Sequence, residues 1–297
     1  MKFLIVGSEG QLGKALQKKL FSLSIPFYNF SRKDLNIENL AQIDSLLSDL
    51  EFDLIINCAA YTSVDEAERN HQAAFQANAI GPKNLAIFCN NQSKKLIHIS
   101  TDFVFDGSKN TPYIPLDETN PINVYGASKL AGEKHIIDCC PKHLIIRTSW
   151  VFGGHGNNFF NTICRLAKSE GNISIIDDQV GTPTYINDLA DAVIFSGKKL
   201  ISSKESILES IYGTYHYGGL KECSWFEFAE YILNKGKNLN KLPSNYSLHK
   251  IQSSDFNALA NRPKYSVLDS SNFCNLFSIR PSNWEKGVDE LLLSQIH

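Results

Sequence analysis

The sequence predicts an α/β fold in which a doubly wound parallel sheet is followed by a smaller, mostly helical C-terminal lobe. Short apolar runs of β-type residues alternate with longer segments of helical apolar spacing through the first half of the 297 residues. A glycine-rich turn joins the first such run to the first helix, and the alternation ends near Trp150. Alternation of this kind favours a parallel sheet with helices on both faces.

The strand candidates share an apolar centre flanked by polar residues, and they lie at residues 2–6, 26–30, 53–57, 95–100 and 143–147. Helical patterns lie between them at residues 12–23, 37–50, 64–90 and 123–138. After Trp150, helical patterns at residues 159–169, 187–196, 224–234 and 283–294 are joined by irregular, proline-containing segments such as 242–264. We therefore expect residues 1–150 to form one domain, with 185–215 packing back on it, and residues 151–184 and 216–297 to form a second lobe.

Composition excludes several classes of protein. The 29 basic and 31 acidic residues give a net charge of −2 without any charged block, which argues against a nucleic-acid partner. No apolar run approaches the length of a membrane-spanning helix, and the apolar run after Lys2 is too short for a signal peptide. The 7 cysteines are odd in number and contain no C-x-x-C pair, so we expect reduced thiols and a cytoplasmic protein.

The turn after the first strand reads Gly-Ser-Glu-Gly-Gln-Leu-Gly. Gly7 permits the tight turn, Gly10 lets backbone approach a pyrophosphate, and Gly13 lets the helix pack closely on the sheet. Gln11 and Leu12 open the helix, whose amides and dipole would face the phosphates. This pattern predicts a Rossmann-type dinucleotide site in the first domain, although a plain glycine-rich turn remains the alternative.

The end of the second strand bears on the choice of cofactor. A site for NAD usually places a carboxylate there for the ribose 2′-hydroxyl. Here Ser31 and Arg32 come first, which suits a 2′-phosphate and predicts NADPH. Asp34 follows in the same turn. As a third cofactor contact, it would allow the site to accept NADH as well. The alternative is a solvated basic turn.

Tyr125 and Lys129 stand at i and i+4, so they share one helix face. A cation near a phenol stabilises the phenolate, so we expect Lys129, with the nicotinamide charge, to lower the pKa of Tyr125. Thr101 ends the fourth strand, at the edge where ligands collect in open α/β sheets. A Y-x-x-x-K pair alone is common in proteins. Chance rarely produces the combination of a glycine loop, a strand-end hydroxyl and a Y-x-x-x-K pair in this order.

These motifs resemble the extended short-chain dehydrogenase/reductases that act on nucleotide sugars, and among them the dTDP-4-dehydrorhamnose reductase family. The likeness runs from Met1 to about Trp284 and includes the second lobe. It is carried by the segments 57–62 (NCAAYT), 100–105 (STDFVF), 123–126 (NVYG), 129–133 (KLAGE), 147–151 (RTSWV), 156–159 (GNNF), 178–184 (DQVGTPT) and 262–263 (RP).

The resemblance implies NADPH-dependent reduction of the 4-keto group of dTDP-4-dehydro-L-rhamnose to give dTDP-L-rhamnose. By matching position, Tyr125 would give the proton, Lys129 would hold the nicotinamide ribose and Thr101 would orient the ketone. Further cofactor contacts implied by position are Gly7, Gly10, Gln11 and Leu12 at the pyrophosphate and Ala59, Ala60 and Tyr61 under the cofactor.

Five residues are implied as substrate contacts beside Thr101. Trp150, Asn158 and Gln179 would contact the substrate, Arg262 would pair with its diphosphate because the guanidinium fork matches phosphate, and Asp102 would lie beside the ketone. Each has a structural alternative: Trp150 as a core aromatic, Arg262 in a surface ion pair, Asp102 as a turn cap.

Phe103 stands where related dehydratases carry a glutamate, so dehydration is disfavoured. Two alternatives stay open: a reductase of another 4-keto nucleotide sugar, and an NADP-binding regulatory subunit similar to the β subunit of methionine adenosyltransferase. Some relatives join subunits through Mg²⁺ held by carboxylates, one of them on the first helix. Residues 14–18 (KALQK) contain no carboxylate, so no metal site is predicted, and a homodimer stays open. The expected partner is a dTDP-linked 4-keto-6-deoxy sugar, without membrane or nucleic acid.

Overall fold

The structure is a computed structural model that describes residues 1–169 and 171–294. The strands are β1 Phe3–Val6, β2 Phe27–Phe30, β3 Leu54–Asn57, β4 Lys95–Thr101, β5 His143–Thr148, β6 Val151–Phe152, β7 Asn172–Ile176, β8 Val180–Gly181, β9 Thr184–Tyr185, β10 Gly213–His216, β11 Cys223–Ser224 and β12 Ser247–Ile251. The helices are α1 Gln11–Ser22, α2 Leu40–Leu47, α3 Val64–Ala67, α4 His71–Phe75, α5 Gly81–Asn91, α6 Val124–Cys139, α7 Phe159–Lys168, α8 Ile186–Ser202, α9 Glu205–Leu208, α10 Trp225–Asn238, α11 Ser271–Phe277 and α12 Trp284–Ser294.

The central sheet has the strand order β10-β5-β4-β3-β1-β2, and its paired strands run parallel. The last residue of β1, Val6, pairs with Phe30 of β2 on one side and with Asn57 of β3 on the other. The direction of progression reverses beside β1, and ligands of open α/β sheets bind in the crevice at the carboxyl ends of the strands at such a point. The predicted doubly wound parallel sheet is confirmed.

The core lies on both faces of this sheet. Phe3 and Ile5 belong to one apolar cluster and Leu4 and Val6 to another, because successive side chains of a strand point to opposite faces. Strands buried on both faces contain continuous apolar runs, which is why β1, β3 and β5 could be found in the sequence.

Residues after Trp150 contribute to both parts of the molecule. Helix α8 packs on α1, and β10 joins the edge of the central sheet beside β5. The remaining strands form two-stranded pairs, β12 with β7, β11 with β8 and β6 with β9. Helix α10 begins in a capping box in which Ser224 and Glu227 satisfy each other's backbone amides.

Three predicted elements differ from the structure. The helix expected over residues 64–90 is divided into α3, α4, a π-helical turn at Gln76–Ile80, and α5. The helix expected over 37–50 is shortened to α2, which Asn39 caps by accepting a bond from the Gln42 amide at 3.2 Å. The segment 242–264, expected to be irregular, contains β12.

The cysteines are free thiols, and most of them are buried. In residues 1–169 and 171–294, no helix combines the length and the apolar character needed to span a bilayer.

Candidate active site

A cleft opens at the carboxyl ends of β1, β2 and β3, and we call it the sheet-edge cleft. The glycine loop, the turn after β2 and the loop after β3 form its walls. Among the predicted cofactor residues, its lining includes Gly7, Gly10, Ser31, Arg32, Ala59, Ala60 and Tyr61. The structure therefore brings together three segments that are far apart in sequence.

The glycine loop packs closely against the ends of β2 and β3. Gly7 has a φ of +81°, and a Cβ at this position would lie 2.6 Å from the backbone nitrogen of Ala59. Its own N–H donates to the Phe30 carbonyl at 3.0 Å, which holds the loop against β2. Gly10 is the N-cap of α1 and offers no side-chain hydrogen bond to the helix. The backbone N–H groups in the first turn of α1 are therefore available to donate to an anion. These residues fit the pyrophosphate of a dinucleotide.

Three further residues of the predicted loop lie outside the lining of this cleft. Leu12 packs in the core, and a Cβ at Gly13 would overlap the Gly7 carbonyl oxygen, so this glycine serves the close packing of α1. The side chain of Gln11 faces the second lobe, where its Oε1 accepts a hydrogen bond from Asn158 Nδ2 at 2.8 Å. Only the backbone of these residues is available to the cofactor.

The turn after β2 places Ser31 and Arg32 at the cleft but not Asp34. Ser31 is buried, and Arg32 is exposed with its guanidinium 3.8 Å from Glu38. The Asp34 carboxylate closes the turn by accepting the Ser31 N–H at 2.8 Å, and hydrogen bonds from Ser31 hold the pKa of Asp34 below its usual value. The Asp34 carboxylate thus caps the backbone of the turn, and its contact with the cofactor stays a prediction.

The side chains of Tyr125 and Thr101 lie close together at the carboxyl end of β4. Asn123 caps α6 by accepting the Gly126 N–H at 2.7 Å, which fixes the first turn of the helix. Gly126 allows this turn to approach β4, because a Cβ there would overlap the carbonyl oxygen of Phe103. The phenol is thus held against the strand-end hydroxyl.

The pKa of Tyr125 is set mainly by burial. Burial raises it to about 12, while the Thr101 hydrogen bond lowers it and the charge of Asp102 raises it. Lys129 lies in the buried interior, where its Nζ donates to the Ile99 carbonyl at 2.6 Å and lies 3.3 Å from His98 Nε2. Desolvation therefore determines the pKa of Tyr125 without cofactor, and the expected lowering by Lys129 together with the nicotinamide charge stays a prediction.

Asp102 is buried beside these groups. Its Oδ1 accepts a hydrogen bond from Thr101 Oγ1 at 3.1 Å, and its Oδ2 is buried with no hydrogen-bond partner among the described residues. Burial raises the pKa of Asp102 to about 6. The carboxylate thus lies next to Thr101, and its contact with a substrate stays a prediction.

A second cleft lies between residues 106–122 of the predicted first domain and residues 176–264, mostly of the predicted second lobe, and we call it the inter-lobe cleft. Gln179, which is buried, and Arg262 both line it, together with Asp106 and Lys264. Arg262 also donates to Asp65 Oδ2 at 2.7 Å, so this guanidinium both faces the cleft and forms an ion pair. The charge and hydrogen-bonding groups of the cleft suit a diphosphate.

Trp150 and Asn158 lie outside the lining of both clefts. The Trp150 indole stacks on Trp225 with ring centroids 3.4 Å apart, and its backbone has a φ of +46°. Asn158 caps α7 by accepting the Asn161 N–H at 3.0 Å, and its amide donates to Gln11. These side chains are held by packing and by capping, and their contacts with a substrate stay predictions.

Sequence reasoning missed the polar residues that hold the site together. Asn78, in the π-helical turn, accepts the Tyr61 N–H at 2.7 Å and donates to Ser128 Oγ at 3.0 Å. Asn57 and His98 form a buried pair behind Lys129. Their only signal in the sequence is a polar residue in an otherwise apolar segment. Across residues 1–169 and 171–294, no three His, Cys, Asp or Glu side chains are grouped to hold a metal ion.

The chain matches the family model described as the RmlD substrate binding domain over residues 1–296. It is 36% identical to a dTDP-4-dehydrorhamnose reductase of Aggregatibacter actinomycetemcomitans, over 98% of both chains. It is 35% identical to a dTDP-4-keto-6-deoxy-D-glucose reductase of Streptomyces niveus, over 77% of this chain and 76% of that protein.

Among solved structures, it is similar to the dTDP-4-dehydrorhamnose reductase of Bacillus anthracis in complex with NADP. The TM-score is 0.88 and the identity 37%, over 99% of both chains. The agreement in sequence, length and fold covers the sheet-edge cleft and the second lobe together. The chain belongs to the RmlD substrate binding domain family.

Proposed function

We propose that this chain is an NADPH-dependent reductase that converts dTDP-4-dehydro-L-rhamnose to dTDP-L-rhamnose. The names of its relatives support this reaction, and the NADP complex of a relative 37% identical supports the cofactor. Residues 1–150, with 185–215, would bind the cofactor. Residues 151–184 and 216–297 would bind the substrate.

The observation that carries the proposal is the position of the Tyr125 side chain beside Thr101 at the carboxyl end of β4. NADPH, when bound, supplies the hydride. Thr101 would hold the ketone oxygen, and Tyr125 would donate its proton to that oxygen as negative charge develops there. With its pKa raised to about 12, the phenol holds its proton at neutral pH but is a weaker acid than free tyrosine. Lys129 and the nicotinamide charge together would lower this pKa and so promote the transfer.

The cofactor would lie along the sheet-edge cleft. The first-turn amides of α1 would take the pyrophosphate, and Ser31 and Arg32 would take the 2′-phosphate. Ala59, Ala60 and Tyr61 would pass beneath it, and Lys129 would take the nicotinamide ribose. Because Asp34 is engaged by the Ser31 backbone, the turn favours a phosphate over a free 2′-hydroxyl.

The substrate would extend from Thr101 to the inter-lobe cleft. Arg262 and Lys264 supply positive charge for the diphosphate, and Gln179 supplies a buried amide. Phe103 packs edge-to-face on Tyr125, with ring centroids 5.6 Å apart, and can neither donate nor accept a proton. A dehydratase would need an acid–base group at this place, so reduction is the better match.

A second candidate is reduction of another 4-keto dTDP-sugar, which the similarity to the Streptomyces niveus reductase favours. The free thiols support the cytoplasm as the compartment, and the net charge of −2 supports a small-molecule partner over nucleic acid. We also propose that the protein forms a homodimer, which light scattering of the purified protein would test.

The test is the loss of NADPH absorbance with purified protein and either dTDP-4-dehydro-L-rhamnose or dTDP-4-keto-6-deoxy-D-glucose. We expect turnover with the first sugar and a much lower kcat/KM with the second. The reverse order would establish the second candidate. Tight NADPH binding without turnover of either sugar would contradict both and favour an NADP-binding regulatory subunit.

A further inference from the structure

A buried row of polar side chains runs behind the sheet-edge cleft, from Asn57 through His98 to Lys129. Asn57 Nδ2 lies 3.0 Å from His98 Nδ1, and His98 Nε2 lies 3.3 Å from Lys129 Nζ. All three side chains are almost fully buried. The direction of each hydrogen bond in the row therefore decides which atoms carry protons.

The backbone fixes the orientation of the Asn57 amide. Ala59 N–H donates to Asn57 Oδ1 at 3.0 Å, and a backbone N–H can donate to the carbonyl oxygen but not to the NH₂ group. Asn57 consequently presents Nδ2 to His98, so His98 Nδ1 must accept. In a neutral imidazole the other ring nitrogen then carries the proton. Burial holds the pKa of His98 well below its usual value, which keeps the ring neutral.

The Nζ atom of Lys129 consequently contacts one hydrogen-bond acceptor and one hydrogen-bond donor. The Ile99 carbonyl accepts a hydrogen bond from Nζ at 2.6 Å. His98 Nε2–H can donate to Nζ only if the nitrogen has a lone pair, which an amine has and an ammonium lacks. The amine satisfies both contacts, whereas the ammonium would set N–H against N–H in the interior, where unmatched polar groups are costly.

The other groups that face Lys129 do not reverse this preference. Glu133, one turn further along α6, favours the ammonium, but Arg147 neutralises it through bonds of 2.7 and 3.0 Å. Cys58, at the end of β3, is a neutral thiol because burial raises its pKa to about 12. Burial lowers the pKa of Lys129 itself to about 8.

We propose that His98 is a positioning residue that favours the uncharged amine form of Lys129 in the cofactor-free site, so that NADPH binding draws a proton from solvent onto Lys129 Nζ. The inference rests on the proposed binding of NADPH. Water or buffer gives up the proton, the lone pair of Nζ receives it, and no other bond changes. The ammonium then has three donors, of which one serves the Ile99 carbonyl and the others can turn to the hydroxyl groups of the ribose.

Calorimetry measures this proton directly. NADPH is titrated into the protein in phosphate and in Tris at equal ionic strength, and the difference in heat gives the protons taken up. We expect uptake near zero at pH 6.5, about half a proton at pH 8 and most of one at pH 9, as the lowered pKa of Lys129 requires. The 2′-phosphate, with a pKa of about 6, does not contribute at pH 8. Equal heats in both buffers at pH 8 would overturn the proposal.

Two variants distinguish the effect of His98 on Lys129 from a general loss of structure. In Asn57→Asp, the carboxylate accepts a proton from His98 Nδ1–H, which leaves a lone pair on Nε2 facing Lys129. NADPH should still bind, with proton uptake at pH 8 lost. His143→Phe, which changes another buried histidine of the sheet, should keep it. Uptake that persists in Asn57→Asp would contradict the proposal.

A measurement without cofactor distinguishes failure of this inference from failure of the proposed function. The ¹⁵N shifts of the His98 ring should show the Nε2–H tautomer in the wild-type protein and the Nδ1–H tautomer in Asn57→Asp. An Nδ1–H tautomer in the wild-type protein would overturn the role of His98 even if NADPH binds. Absence of NADPH binding, with the tautomer as expected, would instead overturn the proposed function and with it the coupling.

Discussion

Asn78 donates a hydrogen bond to Ser128 across 3.0 Å, and this bond joins the loop beneath the sheet-edge cleft to the helix that carries Tyr125. The same side chain accepts the Tyr61 N–H at 2.7 Å and donates to the Tyr61 carbonyl at 3.0 Å. It lies in the π-helical turn between α4 and α5, and such turns occur frequently at functional sites. One buried amide therefore links the loop after β3 to the helix that carries Tyr125.

Asn78→Ala should destabilise the protein by about 2–3 kcal/mol, because the buried Tyr61 N–H and carbonyl lose their partner. It should also weaken NADPH binding, since the loop would no longer be fixed. Urea unfolding and NADPH titration measure the two effects. The exposed Asn91→Ala on α5 is the control and should stay within about 0.5 kcal/mol of wild type. Equal stability of both variants would show that the amide does not hold the loop.

Tyr125→Phe should lower kcat by about 10²–10⁴ and leave NADPH affinity nearly intact, because only the proton donor is lost. Single-turnover absorbance and fluorescence titration give the two quantities. Tyr231→Phe, which removes a hydroxyl bonded to Asp289 in the second lobe, is the matched control and should keep kcat. A Tyr125→Phe protein with kcat within threefold of wild type would refute the assigned role.

Arg262→Met should raise the KM for the dTDP-sugar by about tenfold or more, because a charged hydrogen bond to the diphosphate contributes roughly 1.5–3 kcal/mol. NADPH affinity should not change, since Arg262 lies in the inter-lobe cleft. Arg262→Lys keeps the charge but loses the fork and should recover only part of the affinity. Arg280→Met, at an exposed position, is the control. An unchanged KM would assign Arg262 to its ion pair with Asp65 alone.

The sheet and the cleft could be predicted because their signals are local. Strands buried on both faces are apolar throughout, and the glycine loop and the Tyr125–Lys129 spacing lie within single short segments. Strand β12 was missed because its residues are partly or largely exposed and include His249 and Lys250, so it lacks an apolar run. Its position depends on pairing with β7, which is distant in sequence.

The state of Lys129 could not be predicted, because it depends on strand register. Asn57 of β3 and His98 of β4 are direct partners in the sheet, 41 residues apart in sequence. Only this register places the amide against the imidazole and the imidazole against Nζ. Burial of Tyr125 likewise depends on the close approach at Gly126. Spacing along a helix indicates which groups share a face, whereas desolvation depends on what covers that face.

Asp102→Asn should stabilise the protein at pH 7.5 and abolish most activity. Burial raises the pKa of Asp102 to about 6 from an ordinary value of 3.8, so the folded state holds the proton more tightly than the unfolded chain. The wild-type protein therefore bears a penalty of about 2–3 kcal/mol above pH 6, and this penalty disappears as the pH falls from 6 to below 4. An amide at this position is neutral at every pH, so the Asp102→Asn protein carries no such penalty.

Urea unfolding at intervals between pH 4 and pH 7.5 tests this difference. The free energies of unfolding of wild type and Asp102→Asn should converge at pH 4 and separate as the pH rises. Asp138→Asn, at an exposed position on α6, should follow the wild-type curve. A constant difference across the range would show that Asp102 does not titrate abnormally. The effect of Asp102→Asn on activity would then come from a lost contact alone, because burying the charge of Asp102 would have no measurable cost.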